Sequence, residues 1–142
     1  MLNRRDFADL IPHQGAMSLL DQVQDWDEAR LDARAVSHAD PANPLRRPDG
    51  HLHAVTLCET AAQAMALHGA LIARGQGRAA PPGWLVSLRE VELGVEFVEA
   101  LAGPLAIRVE RLLATPGAWQ YQFRVEHHGR TLVSGRAAVI LR

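Results

Sequence analysis

The sequence contains no lysine, a single cysteine and only 5% aromatic residues. All 15 basic residues are arginine, and 16 acidic residues offset them to give a net charge of -1. This balance gives no reason to expect nucleic acid or an anionic membrane as a partner. A lone cysteine, Cys58, excludes an internal disulfide and indicates a reducing, cytoplasmic location. The basic N-terminus lacks a following apolar region, so we expect no signal peptide.

Several chemical signatures are also missing. There is no G-x-S-x-G motif of a serine hydrolase and no glycine-rich phosphate loop before a helix. The histidines of His51-Leu52-His53 and His127-His128 have no further ligands at metal-binding spacing. The sequence therefore predicts neither a metal site nor a bound cofactor.

What the sequence does contain is one long helical stretch, Leu52 to Arg74, within a single domain spanning residues 1–142. Alanine and leucine dominate the stretch, and its apolar residues cover nearly the whole helical wheel. It is long enough to cross a bilayer, but Glu59, Gln63 and His68 favour a core helix. We therefore predict a helix buried on most sides and no membrane span.

The remaining segments mostly alternate apolar and polar residues, which is typical of half-buried strands. Asn3 is predicted to cap a short helix over Arg4–Leu10, and Gly135 marks a possible bulge. The predicted strands are Met17–Val23, Leu31–Val36, Trp84–Leu93, Leu105–Leu112, Ala118–Glu126 and Thr131–Leu141. Short turns predict that the last four form an antiparallel meander. The result is an α+β fold with a six-stranded antiparallel sheet wrapped around one helix, whose open edge favours dimerisation.

Glu59 is the one charged residue between Ala54 and Ala73. A buried carboxylate is costly unless it is paired or takes part in chemistry. Gln63 lies one turn later on the same helical face. Burial favours the protonated form of a carboxyl group, which suits a general acid. The alternative is a structural carboxylate held by backbone donors or by an arginine.

Two segments resemble the β-hydroxyacyl-ACP dehydratases of fatty-acid synthesis. Ile11–Val23 (I-P-H-Q-G-A-M-S-L-L-D-Q-V) resembles their opening L-P-H-R-x-P-M-L-L-V-D-R-V. Leu57–Gln63 (L-C-E-T-A-A-Q) resembles their helix motif I-E-A-M-A-Q, whose glutamate is catalytic. Asn43–Gly69 resembles most the dehydratase-like proteins of aryl-polyene gene clusters. This resemblance implies a hotdog fold.

The resemblance also implies a reaction: a 3-hydroxyacyl thioester on the phosphopantetheine of acyl carrier protein loses water to give the 2-enoyl thioester. Glu59 would protonate the leaving hydroxyl, and Gln63 would fix the orientation of the Glu59 side chain. His38 or His51, from the other subunit, would remove the C2 proton. The family's H-F-P-G-x-P-x-M-P-G block is shortened here, so the two histidines remain alternatives.

Other elements of the predicted site follow from the same reading. A backbone N–H at the start of the long helix would polarise the thioester carbonyl, because helix starts leave amides without partners. Leu57, Ala61 and Met65 would wall an acyl-chain tunnel. We interpret His13 as stabilising a turn and His68 as structural.

Two other functions fit the pattern. A hotdog acyl thioesterase would use the helix carboxylate to activate water. A non-catalytic acyl-binding subunit would complete a heterodimeric dehydratase, which the shortened histidine block suggests. The expected partners are acyl carrier protein or acyl-CoA, and a second hotdog subunit in a homodimer or heterodimer. Four arginines flank the long helix, two in the proline-containing loop before it and two near its end: Arg46, Arg47, Arg74 and Arg78. They either contact the carrier protein or belong to the solvated surface.

Overall fold

In the computed structural model, which describes residues 1–13 and 15–141, one antiparallel sheet curves around one long helix. The helices are α1 (Arg4–Phe7) and α2 (Leu57–Gly75), and a 3₁₀ turn at Ala54–Thr56 leads into α2. The strands are β1 (Leu2–Asn3), β2 (Gln22–Trp26), β3 (Arg30–Ala35), β4 (Gly83–Leu93), β5 (Leu105–Ala114), β6 (Ala118–His127) and β7 (Arg130–Leu141). The predicted α+β architecture is confirmed, with seven strands instead of six because the very short β1 pairs with β2.

The strand order differs from the predicted meander. It is β1-β2-β3-β5-β6-β7-β4, and all pairs are antiparallel. Only β5, β6 and β7 form a meander, whereas β4 pairs with β7 at the far edge. Residues 94–104 connect β4 to β5. This connection is long enough to cross the sheet, so β4 need not lie beside the strand that follows it.

The N-terminal elements are shorter or shifted relative to the prediction. The first helix ends at Phe7 and continues as a 3₁₀ turn through Leu10. A second 3₁₀ turn at Gly15–Met17 delays β2 to Gln22. The β2–β3 turn then falls at Asp27, whose side chain accepts hydrogen bonds from the backbone N–H groups of Ala29 and Arg30. This local side-chain bonding fixes where the hairpin turns.

The core lies between α2 and the sheet. Alternate residues of β5 and β6 are buried, and α2 packs mainly on β3, β5 and β6. Gly69 lets the helix approach the sheet closely, because a Cβ there would lie 2.2 Å from the ring of Trp119. Gly135 has a similar role: it pairs in register with Phe123, and an added Cβ would lie 2.9 Å from that ring. Against β4 the register shifts between Arg89 and Glu92, so that Glu90 and Val91 lie opposite Gly135. The predicted bulge is therefore confirmed at this position, with the extra residue on β4.

The β4 edge is apolar and open. Its other side pairs with β7, but six of its apolar side chains are between 36% and 56% exposed: Trp84, Leu85, Val86, Leu88, Val91 and Leu93. Long apolar edge strands are aggregation hazards unless another element covers them. Dimerisation through an open sheet edge stays a prediction.

Within residues 1–13 and 15–141, no helix combines the length and the hydropathy needed to cross a bilayer.

Candidate active site

The long helix α2 exposes one narrow face. Every residue from Leu57 to Ala73 is buried apart from Glu59, Ala62 and Ala66. Val55, in the turn before the helix, is 47% exposed. Residues spaced by three or four lie above one another on a helix, so Glu59, Ala62 and Ala66 form a single stripe. Glu59 is the only group on this stripe that can exchange a proton.

Glu59 is paired with a histidine of its own chain. His13 Nε2 lies 3.2 Å from Glu59 Oε1, and the two side chains are 30% and 36% exposed. Glu59 is thus partly exposed, and the prediction of a buried carboxylate is wrong. The interpretation of His13 as a turn residue missed this contact, because 46 residues separate it from Glu59 along the chain.

Gln63 holds the segment that follows His13 against the helix. Its side chain is buried, its Oε1 accepts the N–H of Leu19 at 2.9 Å, and its Nε2 donates to the carbonyl of Met17 at 2.7 Å. Both ends of the amide are therefore used by the backbone. Gln63 was predicted to orient Glu59 directly, but the structure has it anchor the chain near His13 instead. Gln14 lies outside the described residues.

His38 lies in a short 3₁₀ turn after β3 and is 1% exposed. Its Nε2 donates to the carbonyl of Leu101 at 2.8 Å, and its Nδ1 is buried without a hydrogen-bond partner among the described residues. Burial lowers the pKa of His38, which favours the neutral ring. Its assignment as the base stays a prediction.

His51 occupies a different environment. Its side chain is 48% exposed, its Nδ1 lies 3.0 Å from Glu99 Oε1, and its ring stacks on Phe97 with centroids 4.2 Å apart. The same Glu99 oxygen accepts the N–H of Leu52 at 2.9 Å. Neither His51 nor His38 contacts Glu59 within the described part of one chain.

The backbone amides in the 3₁₀ turn before α2 donate hydrogen bonds within the chain. The N–H of Ala54 donates to the carbonyl of Glu96, and that of Val55 donates to His53 Nδ1. The N–H of Thr56 donates to the carbonyl of His53. These three amides have acceptors within the chain, and polarisation of the thioester carbonyl by a backbone N–H at the start of the helix stays a prediction.

The remaining candidates are core residues. Leu57, Ala61 and Met65 are at most 3% exposed and belong to the hydrophobic core, so acyl-chain binding by them stays a prediction. His68 is fully buried between the hydroxyl of Tyr121 and the carbonyl of Asp27, and burial lowers its pKa to about 4. Among residues 1–13 and 15–141, no three His, Cys, Asp or Glu side chains form a group able to hold a metal ion.

Solved structures of similar fold match most of the chain. The ApeI:P dehydratase heterocomplex from Xenorhabdus doucetiae gives a TM-score of 0.82 at 25% identity, covering 94% of this chain and 88% of that one. AziG from S. sahachiroi gives 0.63 at 17% identity, covering 93% and 97%. A hypothetical thioesterase with coenzyme A from Streptococcus pneumoniae TIGR4 gives 0.65 at 10% identity, covering 98% and 96%. These matches confirm the hotdog fold.

Comparison with curated proteins gives no significant match. The ApeP-like family model, described as ApeP dehydratase, matches residues 5–141. This match spans nearly the whole chain and agrees with the resemblance of Ile11–Val23 and Leu57–Gln63 to dehydratase motifs. The chain therefore belongs to the ApeP-like dehydratase family.

Proposed function

We propose that this chain is a subunit of a dehydratase that removes water from a 3-hydroxyacyl thioester carried on acyl carrier protein. The observation that carries the proposal is the pairing of Glu59 with His13 on the one exposed face of α2. Glu59 is partly exposed and its position is fixed by a helix, which suits a group that must meet a substrate. Membership of a dehydratase family supplies the reaction class.

In this reaction a base removes the C2 proton, the C3–O bond breaks, and Glu59 protonates the departing hydroxyl to give water and a 2-enoyl thioester. The contact at 3.2 Å between His13 Nε2 and Glu59 Oε1 lets His13 donate to that oxygen and leaves Oε2 for the transferred proton. His13 Nδ1 is buried without a described partner.

In this proposal, the acid and the base of one site belong to different hotdog subunits. The apolar side chains of β4 that are exposed in one chain, such as Leu88 and Leu93, would be covered by pairing two edge strands. The similar chain of known structure belongs to a dehydratase heterocomplex, which supports a heterodimer. Of the two candidate histidines, His51 is the exposed one, so it is the better suited to reach across an interface.

The main experiment is an assay of the chain, alone and co-purified with a second hotdog protein from the same gene neighbourhood, on 3-hydroxyacyl carrier protein. We expect formation of the 2-enoyl thioester and a loss of about 10³-fold in kcat for Glu59→Gln, which removes the transferable proton. Glu28→Gln is the matched control, because Glu28 is an exposed carboxylate in the β2–β3 turn.

Three outcomes would contradict the proposal. Release of free thiol without an enoyl product would identify a thioesterase. Full activity of Glu59→Gln within an active complex would identify a non-catalytic subunit. Equal loss in Glu59→Gln and Glu28→Gln would show that the effect is not specific to the site.

The proposed interface is tested separately by Leu88→Arg. Leu88 is 40% exposed on β4, so the charge is tolerated in a single chain but opposes apolar pairing. We expect dissociation by analytical ultracentrifugation, whereas Leu112→Arg, at a 46% exposed position on β5, should leave the assembly intact. An unchanged sedimentation coefficient for Leu88→Arg would place the interface elsewhere.

A further inference from the structure

His51 sits in a tightly bonded turn. The backbone N–H of Arg47 donates to the His51 carbonyl at 2.8 Å, and the N–H of Gly50 donates to the Arg47 carbonyl at 2.9 Å. Asp49 Oδ1 accepts the N–H of His51 at 3.0 Å. Gly50 has a φ of +88°, a conformation that favours glycine. The backbone that carries His51 is thus fixed by its own hydrogen bonds.

Glu99 fixes which ring nitrogen of His51 carries the proton. An ionised carboxylate only accepts hydrogen bonds, so the contact at 3.0 Å between Glu99 Oε1 and His51 Nδ1 requires a proton on Nδ1. Burial by itself raises the pKa of Glu99, but hydrogen bonds from the Leu52 N–H and from His51 outweigh it and lower that pKa. Glu99 therefore remains ionised, and the neutral ring keeps its lone pair on Nε2.

Two further contacts set the direction of that lone pair. The rings of His51 and Phe97 are stacked at an interplanar angle of 16°, and the guanidinium of Arg47 lies 5.5 Å from the Phe97 ring centre. The His51 side chain remains 48% exposed, while that of Glu99 is only 17% exposed. Within the described residues, Nε2 of His51 has no hydrogen-bond partner. The ring nitrogen of His51 without a hydrogen bond is thus Nε2, on the side of the ring away from Glu99.

We propose that Glu99 is the positioning residue of His51: it holds the Nδ1–H tautomer and stabilises the imidazolium that forms when Nε2 removes the C2 proton of the substrate. This inference rests on the proposed function and adds a residue to it. A carboxylate behind a histidine has this orienting and charge-stabilising effect in other acid–base sites. No motif pointed to Glu99, which is 48 residues from His51 in sequence.

A purely structural role is the competing explanation, because Glu99 also accepts the N–H of Leu52. Two variants separate the roles. Glu99→Gln keeps an oxygen that accepts both hydrogen bonds but removes the charge, whereas Glu99→Ala removes both. Glu96→Gln is the matched control in the same segment, where the fold uses only the backbone carbonyl of Glu96.

The first readout needs no substrate. The ring-nitrogen chemical shifts of His51 in ¹⁵N-histidine-labelled protein report its tautomer directly. We expect the Nδ1–H form in the wild type, in Glu96→Gln and in Glu99→Gln, and a shift toward the Nε2–H form in Glu99→Ala. An unchanged tautomer in Glu99→Ala would overturn the proposal.

The second readout is the dehydration assay on the assembled complex. We expect kcat to fall about tenfold in Glu99→Gln and about 100-fold in Glu99→Ala, with KM unchanged, because only the transition state carries the new charge. Loss in Glu99→Ala with full activity in Glu99→Gln would show a structural role and overturn the proposal. If the wild-type complex releases thiol instead of dehydrating, the proposed function fails, and the tautomer measurement still decides whether Glu99 controls His51.

Discussion

The chain contains two histidine–carboxylate pairs that differ in which partner faces outward. In the first pair, Glu59 lies on the exposed stripe of α2. The Nε2 atom of His13 contacts Glu59, and the Nδ1 atom of His13 is buried. In the second, His51 is 48% exposed, and Glu99 behind it is 17% exposed. The first pair presents a carboxyl group and the second presents an imidazole. Exposure separates the two partners clearly only in the second pair, since His13 and Glu59 are 30% and 36% exposed. In the first pair, the position of Glu59 on the exposed stripe of α2 makes the carboxyl group the accessible one.

The largest expected effect comes from removing the exposed imidazole. His51→Asn keeps a polar side chain but no group that can take the C2 proton, so kcat should fall on the order of 10³-fold. Steady-state kinetics on the assembled complex measures it. His128→Asn is the matched control, because His128 is exposed and asparagine tolerates its φ of 49°. Full activity of His51→Asn beside an inactive Glu59→Gln would show that His51 is not the base.

The next effect concerns His68, a histidine without a carboxylate partner. Its folded-state pKa is about 4 because of burial, against 6.5 for an exposed histidine. Between these values the unfolded chain binds a proton that the folded chain does not. Stability should therefore fall as the pH drops from about 6.5 to about 4, by roughly 3 kcal/mol, and that contribution should level off below.

Urea unfolding at several pH values measures this loss, and His68→Gln provides the comparison. The variant keeps hydrogen-bonding groups for Tyr121 and Asp27 but does not titrate. If His68 is the source, the stability difference between wild type and variant should change between about pH 6.5 and pH 4 and become independent of pH below about 4. Identical acid profiles in the two proteins would contradict the assignment.

The smallest effect should come from a substitution next to the His13–Glu59 pair that leaves both residues of the pair unchanged. Gln63→Leu leaves the buried N–H of Leu19 without its acceptor, which costs about 1–3 kcal/mol of stability. His13 then loses its fixed position, and we expect kcat to fall several-fold while Glu59 remains intact. Denaturant unfolding and kinetics measure the two effects. Gln122→Leu, at an exposed position on β6, should change neither, and equal behaviour of the two variants would remove Gln63 from the site.

Much of this arrangement could be predicted from the sequence, because local patterns report local burial. The alternation in β5, β6 and β7 predicted those strands to within a few residues. The same patterns mislead where alanine is involved. Ala62 and Ala66 count as apolar on a helical wheel, yet both lie on the exposed stripe, so the helix looked buried on every side and Glu59 looked enclosed.

Long-range partnerships lie beyond such patterns. Neither His13–Glu59 nor His51–Glu99 follows from any spacing rule, since the partners meet only after the sheet has curved around α2. The position of β4 at the far edge has the same origin, because a long connection does not specify which strand its end will pair with.

The close approach of Gly69 to Trp119 has a consequence for how such a protein diverges. Any side chain at position 69 would force the helix or the Trp119 ring to shift, and Glu59 lies on that same helix. The depth at which Glu59 lies therefore depends on the glycine at position 69. Substitutions at Val55, Ala62 and Ala66 leave this contact untouched, so the exposed stripe can vary without moving Glu59.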